Sequence, residues 1–131
     1  MSDWARRFED VIAWQKARAL TRDVYEATQH GAFAKDYGLT SQMQRASVSI
    51  MANIAEGFER GKPREYLHFL SMAKASCAEV RSHLYVALDT GRIDQPTFVH
   101  LSDSTSEIGR IIGGLRTAIE RQQAVKVASS E

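Results

Sequence analysis

The middle of the chain holds the residues whose types and spacing could bind a metal. Glu65 and His68 have the Glu-x-x-His spacing of di-iron bundles, and Glu79 and His83 lie four residues apart on one helical face. A di-iron centre needs a second Glu-x-x-His and two further inward glutamates, and neither pair has an evident third ligand. A metal-dependent enzyme is therefore the least favoured class, and no metal or cofactor is expected.

Two nucleophile patterns lie in the same segment. Ser71 and Lys74 have the Ser-x-x-Lys spacing of penicillin-recognising enzymes, but the Ser-Asp-Asn and Lys-Thr-Gly elements of those enzymes are absent. Cys77 would need a neighbouring base and a lowered pKa to act as a nucleophile, and its place in an apolar repeat favours a small core residue. Neither pattern predicts catalysis, so we expect a protein that is not an enzyme.

Three glycines interrupt the last apolar segment. Gly109 and Gly113 have the spacing of membrane helix pairs, but Arg110 and Arg116 argue against a membrane span, and the lysine of a phosphate loop is missing. Each glycine inside a helix costs about 1 kcal/mol relative to alanine. Gly109, Gly113 and Gly114 therefore indicate either close approach of another helix or local flexibility, and we favour close approach.

Length and composition set broad limits. A chain of 131 residues fits one domain, and a net charge of +1 gives no bulk attraction to nucleic acid or to anionic membranes. The single cysteine suits a reducing cytosol. The first ten residues lack the apolar core of a signal peptide, and no apolar run reaches the ~20 residues that span a bilayer. We expect a cytoplasmic protein without membrane contact.

The elements that would position these residues are helices. Pro63 and Pro96 each follow a turn-like cluster and mark helix starts, and a third break covers residues 30–38. In the four resulting segments, apolar and small residues recur at intervals of three and four, the repeat of a bundle seam. The seams are Ala13, Ala17, Leu20, Val24 and Ala27; Leu39, Met43, Ala46, Ile50, Asn53 and Gly57; Tyr66, Leu70, Ala73, Cys77, Val80, Leu84 and Ala87; and Phe98, Leu101, Thr105, Ile108, Ile112, Leu115 and Ile119.

This periodicity predicts an all-α fold. Short connections between the segments favour antiparallel neighbours, so the expected architecture is an up-down-up-down antiparallel four-helix bundle. It forms a single domain over residues 1–121. Residues 122–131 lose the periodicity and are expected to be a frayed or disordered tail.

Five large apolar residues lie beside the seams of the first two helices: Trp14, Tyr25, Met51, Ile54 and Phe58. One explanation is that the buried stripe of each helix includes more than two positions of every seven-residue repeat. We favour the other, that these residues bury against further copies of the chain, because exposed apolar patches of this extent are uncommon on soluble monomers. They are the candidates for a homo-oligomer interface.

Basic residues cluster at the turn between the second and third helices. Arg60, Lys62 and Arg64 lie there, and Arg45 precedes them in the second helix. Nearby acids offset these charges, which is typical of a solvated face. A symmetric ring would nevertheless multiply a weak patch by the number of subunits, and phosphate contacts add through counterion release. These four are the candidate nucleic-acid-binding residues.

The segment SIMANIAEGFERG, residues 49–61, carries a family resemblance together with Trp14-Gln15-Lys16-Ala17 and Glu65-Tyr66. It resembles the bacterial four-helix-bundle proteins encoded by intervening sequences in large-subunit ribosomal RNA genes, and the related accessory proteins of diversity-generating retroelements. The resemblance implies a cytosolic, non-catalytic bundle that assembles into a homopentamer. In the retroelement branch it implies partners, a reverse transcriptase and nucleic acid. Gln44 stands where such proteins often carry the first of two arginines.

Asn53, Glu56 and Gly57 form the structural signature of this segment. We expect Asn53 to fix helix register in the seam and Gly57 to allow close packing. We expect Glu56 to accept a charged or backbone partner, with Arg45 or Arg60 as candidates. The expected function is a non-catalytic, pentameric scaffold with RNA or DNA as a candidate ligand. The alternative is a protein-binding adaptor without nucleic-acid affinity.

Overall fold

The computed structural model describes residues 5–130, and within that range the chain is all-α, as predicted, with no strand. A 3-10 turn, Phe8–Asp10, leads into five helices: α1 Ile12–Thr28, α2 Gly31–Lys35, α3 Tyr37–Arg60, α4 Pro63–Asp89 and α5 Gln95–Ser130. None of them is both long enough and apolar enough to cross a membrane.

Local chemistry explains where the long helices begin and end. Asp36 caps α3, because its Oδ1 accepts a backbone N–H of the first turn at 3.1 Å. Gly61 ends the same helix with a φ of +72°, a conformation that favours glycine, and Pro63 is the first residue of α4. Asp94 accepts the Thr97 backbone N–H at the start of α5, and hydrogen bonding from the Thr97 side chain and backbone lowers the pKa of Asp94. Pro96 is the second residue of α5, so both predicted helix starts are confirmed.

The helices pack around one core. α1 contacts α3 and α5, and α4 contacts the same two helices. The predicted seams supply the interior, which confirms the three-and-four spacing as the signal of burial. The largest fully buried seam residues are Leu20, Val24, Met43, Ile50, Leu70, Val80, Leu84, Leu101, Ile108 and Ile112.

Two segments depart from expectation. The predicted break at residues 30–38 contains the short helix α2, which buries Phe33 completely; Thr40 Oγ1 donates to the Phe33 carbonyl at 2.9 Å. Residues 122–130, expected to be a frayed tail, continue α5. They contain neither glycine nor proline, and the loss of periodicity removes packing partners without removing helix propensity. Glu131 lies outside the described residues.

Polar contacts join the elements at the rim of the core. Lys16 Nζ lies 2.6 Å from Glu107 Oε1, and His100 Nε2 lies 3.1 Å from Asp23 Oδ2, so two pairs connect α1 to α5. The hydrogen bond from Lys16 lowers the pKa of Glu107. Since all four side chains are well exposed, these pairs add little stability.

Candidate functional site

Asn53 lies at the edge of the seam between α3 and α4. Its Nδ2 donates to the carbonyl of Ser49 at 2.9 Å and to the Ser49 hydroxyl at 3.0 Å. The Ser76 hydroxyl of α4 donates to the same Ser49 oxygen at 3.0 Å. Asn53 is half-buried. It is linked to α4 indirectly, through the Ser49 hydroxyl that accepts hydrogen bonds from both Asn53 and Ser76.

Gly57 marks the closest approach of α3 and α4. A Cβ built on this residue would lie 2.6 Å from Phe69 Cβ and 3.1 Å from Tyr66 Cδ1. Carbon atoms prefer separations of about 3.5–4.0 Å, so any larger side chain would force the helices apart. The predicted close packing at Gly57 is confirmed.

Arg60 connects the two helices at the same end. Its guanidinium reaches Glu56 Oε1 at 3.1 Å and Glu65 Oε1 at 3.4 Å, and its carbon lies 5.0 Å from the centre of the Phe69 ring. The expected charged partner of Glu56 is thus Arg60 and not Arg45. Because two carboxylates and an aromatic ring already surround this guanidinium, Arg60 is poorly available to an external phosphate.

The other predicted basic residues do not meet Arg60 in one patch. Lys62 and Arg64 are exposed at the turn, and neither forms an ion pair within residues 5–130. Arg45 is also exposed, but it precedes Arg60 by 15 residues, about 22 Å of helix at 1.5 Å per residue. The candidate nucleic-acid set therefore reduces to Lys62 and Arg64 at the turn, with Arg45 apart from them.

An apolar surface, here named the α1–α3 face, covers one side of the bundle. It comprises Trp14 and Tyr25 on α1 and Val48, Met51 and Phe58 on α3, each pair or triplet spaced to share one side of its helix. Thr21 Oγ1 lies 3.5 Å from Met51 Sδ, which brings the two stripes side by side. Trp14, Met51 and Phe58 are half-buried, while Tyr25 is 37% exposed and Val48 is 40% exposed.

Ile54 is the exception among the interface candidates. It is completely buried in the core of its own chain. It follows Ile50 by one helical turn, and the seam of α3 is wide enough to include both. Its assignment to an oligomer interface is wrong.

The model of the 23S rRNA-intervening sequence protein family matches residues 9–114, which include the signature Asn53, Glu56 and Gly57 and every seam residue except Leu115 and Ile119. The chain belongs to this family. The match excludes the last turns of α5.

A solved structure agrees with the fold of this family member. The chain is similar to a protein of unknown function from the S23 ribosomal protein family of Bacteroides thetaiotaomicron, whose crystal structure was determined at 1.70 Å resolution. The TM-score is 0.74 at 18% sequence identity, over 80% of this chain and 98% of the other. At that identity the likeness concerns the fold. A search of curated proteins found no match.

The structure does not assemble the metal-type residues of this intervening-sequence family member. Glu65 faces Arg60, and His68 packs edge-on against Phe69 at 5.7 Å. His83 Nε2 lies 3.6 Å from Glu79 Oε2, which is too long for a hydrogen bond. Among residues 5–130, no three His, Cys, Asp or Glu side chains come together as a metal site would require.

Cys77 lies in the buried seam of α4. Burial raises the pKa of its thiol to about 11, although the positive charges of Arg81 and Lys74 partly oppose that shift. A thiol with such a pKa is protonated at neutral pH and is a poor nucleophile. Ser71 donates its hydroxyl to the Leu67 carbonyl at 3.1 Å, a contact within its own helix.

The glycines of α5 do not serve the close helix packing that their spacing predicts. A Cβ built on Gly109 or Gly114 would meet no atom within 4 Å, and one on Gly113 would meet only Lys74 Nζ, at 3.5 Å. Among residues 5–130, no helix makes the expected close approach to these glycines. An open strip of α5 backbone lies instead beside the basic side chains of α4, a neighbourhood that spacing along one helix could not indicate.

Proposed function

We propose that this chain is a non-catalytic subunit of a cytoplasmic homo-oligomeric scaffold that contacts nucleic acid through its exposed basic residues. The α1–α3 face is the observation that carries the proposal. The long helices are assigned an up-down-up-down antiparallel order, which the contacts of each consecutive pair and the short turns at Gly61 and Gly91 support. The pentameric stoichiometry follows from the family resemblance, as does the relation to retroelement accessory proteins.

The α1–α3 face has the composition of an interface. Tryptophan, tyrosine, phenylalanine and methionine are the residues enriched at interface cores, and here all four types lie on one side of two adjacent helices. Burial of such a patch between copies would remove apolar surface from water at roughly 25 cal/mol per Å². The Thr21 hydroxyl lies beside Met51 Sδ, where the two helices meet. Arg18 lies along the edge, 5.9 Å from the Trp14 ring.

The assembly is tested by the mass of the particle in solution. A pentamer of the 14.7 kDa chain would elute with a mass of about 74 kDa in gel filtration with light scattering. The double variant Tyr25→Glu and Val48→Glu should reduce this to the mass of one chain. The matched control, Val125→Glu and Val127→Glu, adds the same charge at exposed valines outside the face and should leave the mass unchanged. A monomeric wild-type protein would refute the assembly.

The nucleic-acid contact is proposed at Lys62 and Arg64. Both are exposed and both lack an ion pair in the described part of the chain; Lys62 ends the turn between α3 and α4, and Arg64 is the second residue of α4. In a ring, each copy would contribute this pair at an equivalent position. Phosphate binding by two cations per subunit is modest alone and additive across subunits.

Binding is measured by fluorescence anisotropy with a labelled single-stranded 20-mer RNA at several salt concentrations. Replacing Lys62 and Arg64 by glutamine should weaken binding and flatten its dependence on salt. An unaltered affinity would remove the turn from the interface. A wild-type monomer that instead captures one protein in stoichiometric amount, and no nucleic acid, would favour an adaptor that uses the same α1–α3 face.

A further inference from the structure

The strongest unexplained feature is the surface between α4 and α5, here named the α4–α5 groove. Its members are Lys74 and Arg81 on α4, and Gly109, Gly113 and Arg116 on α5. The Tyr85 and Phe98 rings meet at one end, with centroids 5.1 Å apart, and Lys74 reaches Gly113 further along. The two helices therefore run past each other over several turns with this groove between them.

The three cations of the groove follow its length. Arg81 and Lys74 are seven residues apart, two helical turns or about 10.5 Å, on one side of α4. Arg116 follows Gly113 by one turn on α5, so the three charges span roughly 15 Å. The thiol of Cys77, between the two α4 cations, senses the positive charge of both. The link to α5 comes from Lys74, whose Nζ lies 3.5 Å from where a Cβ on Gly113 would stand.

None of the three cations is neutralised within residues 5–130. Lys16, Arg60 and Arg92 each have a carboxylate partner, whereas no ion pair involves Lys74, Arg81 or Arg116. Arg116 also holds its Nε away from solvent with no hydrogen-bond partner among the described residues.

The acids nearest to the groove residues along α4 and α5 are directed elsewhere or stand at the rim. Glu79 lies beside His83, and Glu107 binds Lys16 of α1. Glu120, one turn beyond Arg116, is exposed at the rim of the groove.

The glycines of α5 make the positive charges of the groove more accessible to a ligand. Without side chains at Gly109 and Gly113, a ligand can approach the α5 backbone beside the cations, because a Cβ on Gly109 would meet no atom within 4 Å and one on Gly113 would meet only Lys74 Nζ. The groove also lies opposite the α1–α3 face, because α1 and α3 are neighbours on one side of the bundle and α4 and α5 on the other. Assembly through one face leaves the other open.

We propose that the α4–α5 groove binds the phosphodiester backbone of a nucleic-acid strand. This deepens the nucleic-acid part of the proposed function by adding a surface that is separate from the α3–α4 turn. A span of 15 Å matches about four nucleotides at 3.4 Å each along one strand of a duplex. Cations without base-reading geometry give binding that depends on charge and salt and tolerates any sequence.

The experiment compares single-stranded RNA, DNA of the same sequence and their duplexes by fluorescence anisotropy over a range of salt. The triple variant Lys74→Gln, Arg81→Gln and Arg116→Gln should reduce the slope of log affinity against log salt by about 2 for a single strand, at 0.7 per lost contact. The matched control removes three exposed cations outside the groove: Arg22→Gln, Lys35→Gln and Lys126→Gln. It should keep the wild-type slope. The RNA, DNA and duplex arms identify which strand is held.

A second variant guards against misfolding of the first. Gly113→Glu adds a carboxylate beside Lys74 without removing any residue contact, and it should weaken binding. Ala124→Glu adds the same charge on the exposed end of α5 and should not. Circular dichroism confirms that both keep the helical signal.

The outcomes separate this inference from the proposed function. Loss of binding in the Lys62 and Arg64 variant, with none in either groove variant, would overturn the groove and leave the turn. Equal losses in the groove variant and its charge-matched control, or equal competition by polyglutamate, would show general attraction between charges and also overturn it. Absence of binding by the wild-type protein at low salt would overturn both.

Discussion

Replacing Gly57 by alanine tests the closest contact in the protein. The new Cβ would stand 2.6 Å from Phe69 Cβ, about 1 Å inside the distance that two carbon atoms prefer. Phe69 Cβ is fixed to the backbone of α4, so a side-chain rotation cannot relieve the clash. The helices must move apart by a comparable distance, and the seam beside them must repack.

The magnitude follows from two opposing terms. Overpacking of a core costs about 1–3 kcal/mol, and a contact with a backbone-proximal atom belongs near the upper end. Alanine recovers roughly 1 kcal/mol of helix propensity over glycine. We expect a net loss of about 1–2 kcal/mol in the free energy of unfolding. For a chain of this length each kcal/mol shifts the melting temperature by roughly 4 °C, so Tm should fall by about 4–8 °C.

Gly109→Ala is the matched control for this prediction. The substitution is identical and also lies inside a helix, but its Cβ meets nothing within 4 Å. It should raise stability by up to about 1 kcal/mol through helix propensity alone. Both variants are compared with the wild type by guanidinium unfolding and calorimetry at one subunit concentration, because assembly couples stability to concentration. A Gly57→Ala protein as stable as the wild type would refute the close approach of α3 and α4.

Three further predictions concern single side chains. Burial raises the pKa of Tyr66 to about 12, so the stability that this residue contributes is full below its ordinary pKa of 10.0 and is lost as the pH rises toward 12. Tyr66→Phe should therefore reduce the loss of stability at alkaline pH, measured by urea unfolding at several pH values. A variant with the same dependence of stability on pH as the wild type would contradict this. Asn53→Ala should cost about 1 kcal/mol in chemical unfolding because two hydrogen bonds to Ser49 disappear, and no loss would show that they are not formed in solution. Cys77 should react slowly with a thiol reagent at pH 8 in the native protein and rapidly in denaturant; fast native labelling would mean that α4 opens.

The sequence predicted the interior well because burial in a helix has a period that can be read directly. Leu20, Ile50 and Leu84 each belong to a series of apolar residues that recur at intervals of three and four along one helix, and each is buried. The contact between Glu56 and Arg60 was within reach for the same reason, since residues four apart share a helical face.

What the sequence could not supply were the distances between helices. Gly57 and Gly109 look alike as glycines within helices, yet Gly57 packs against the neighbouring helix and Gly109 faces open space. Ile54 was misassigned because a wide buried stripe and an exposed apolar stripe produce the same spacing of apolar residues along α3. Phe33 was hidden in a segment rich in turn residues, where a single helical turn leaves no repeat to detect.

The contact between α1 and α5, which includes two exposed ion pairs, affects the order in which the protein folds during its synthesis. Lys16 and Asp23 belong to the first long helix, and their partners Glu107 and His100 belong to the last. All other major contacts join helices that are neighbours in the chain or separated only by the short α2, so they can form as the chain emerges from the ribosome. The seam between α1 and α5 must wait for the final helix. Until then the core edge of α1 is exposed to other nascent chains, and this interval is when α1 of one copy could pair with α5 of another.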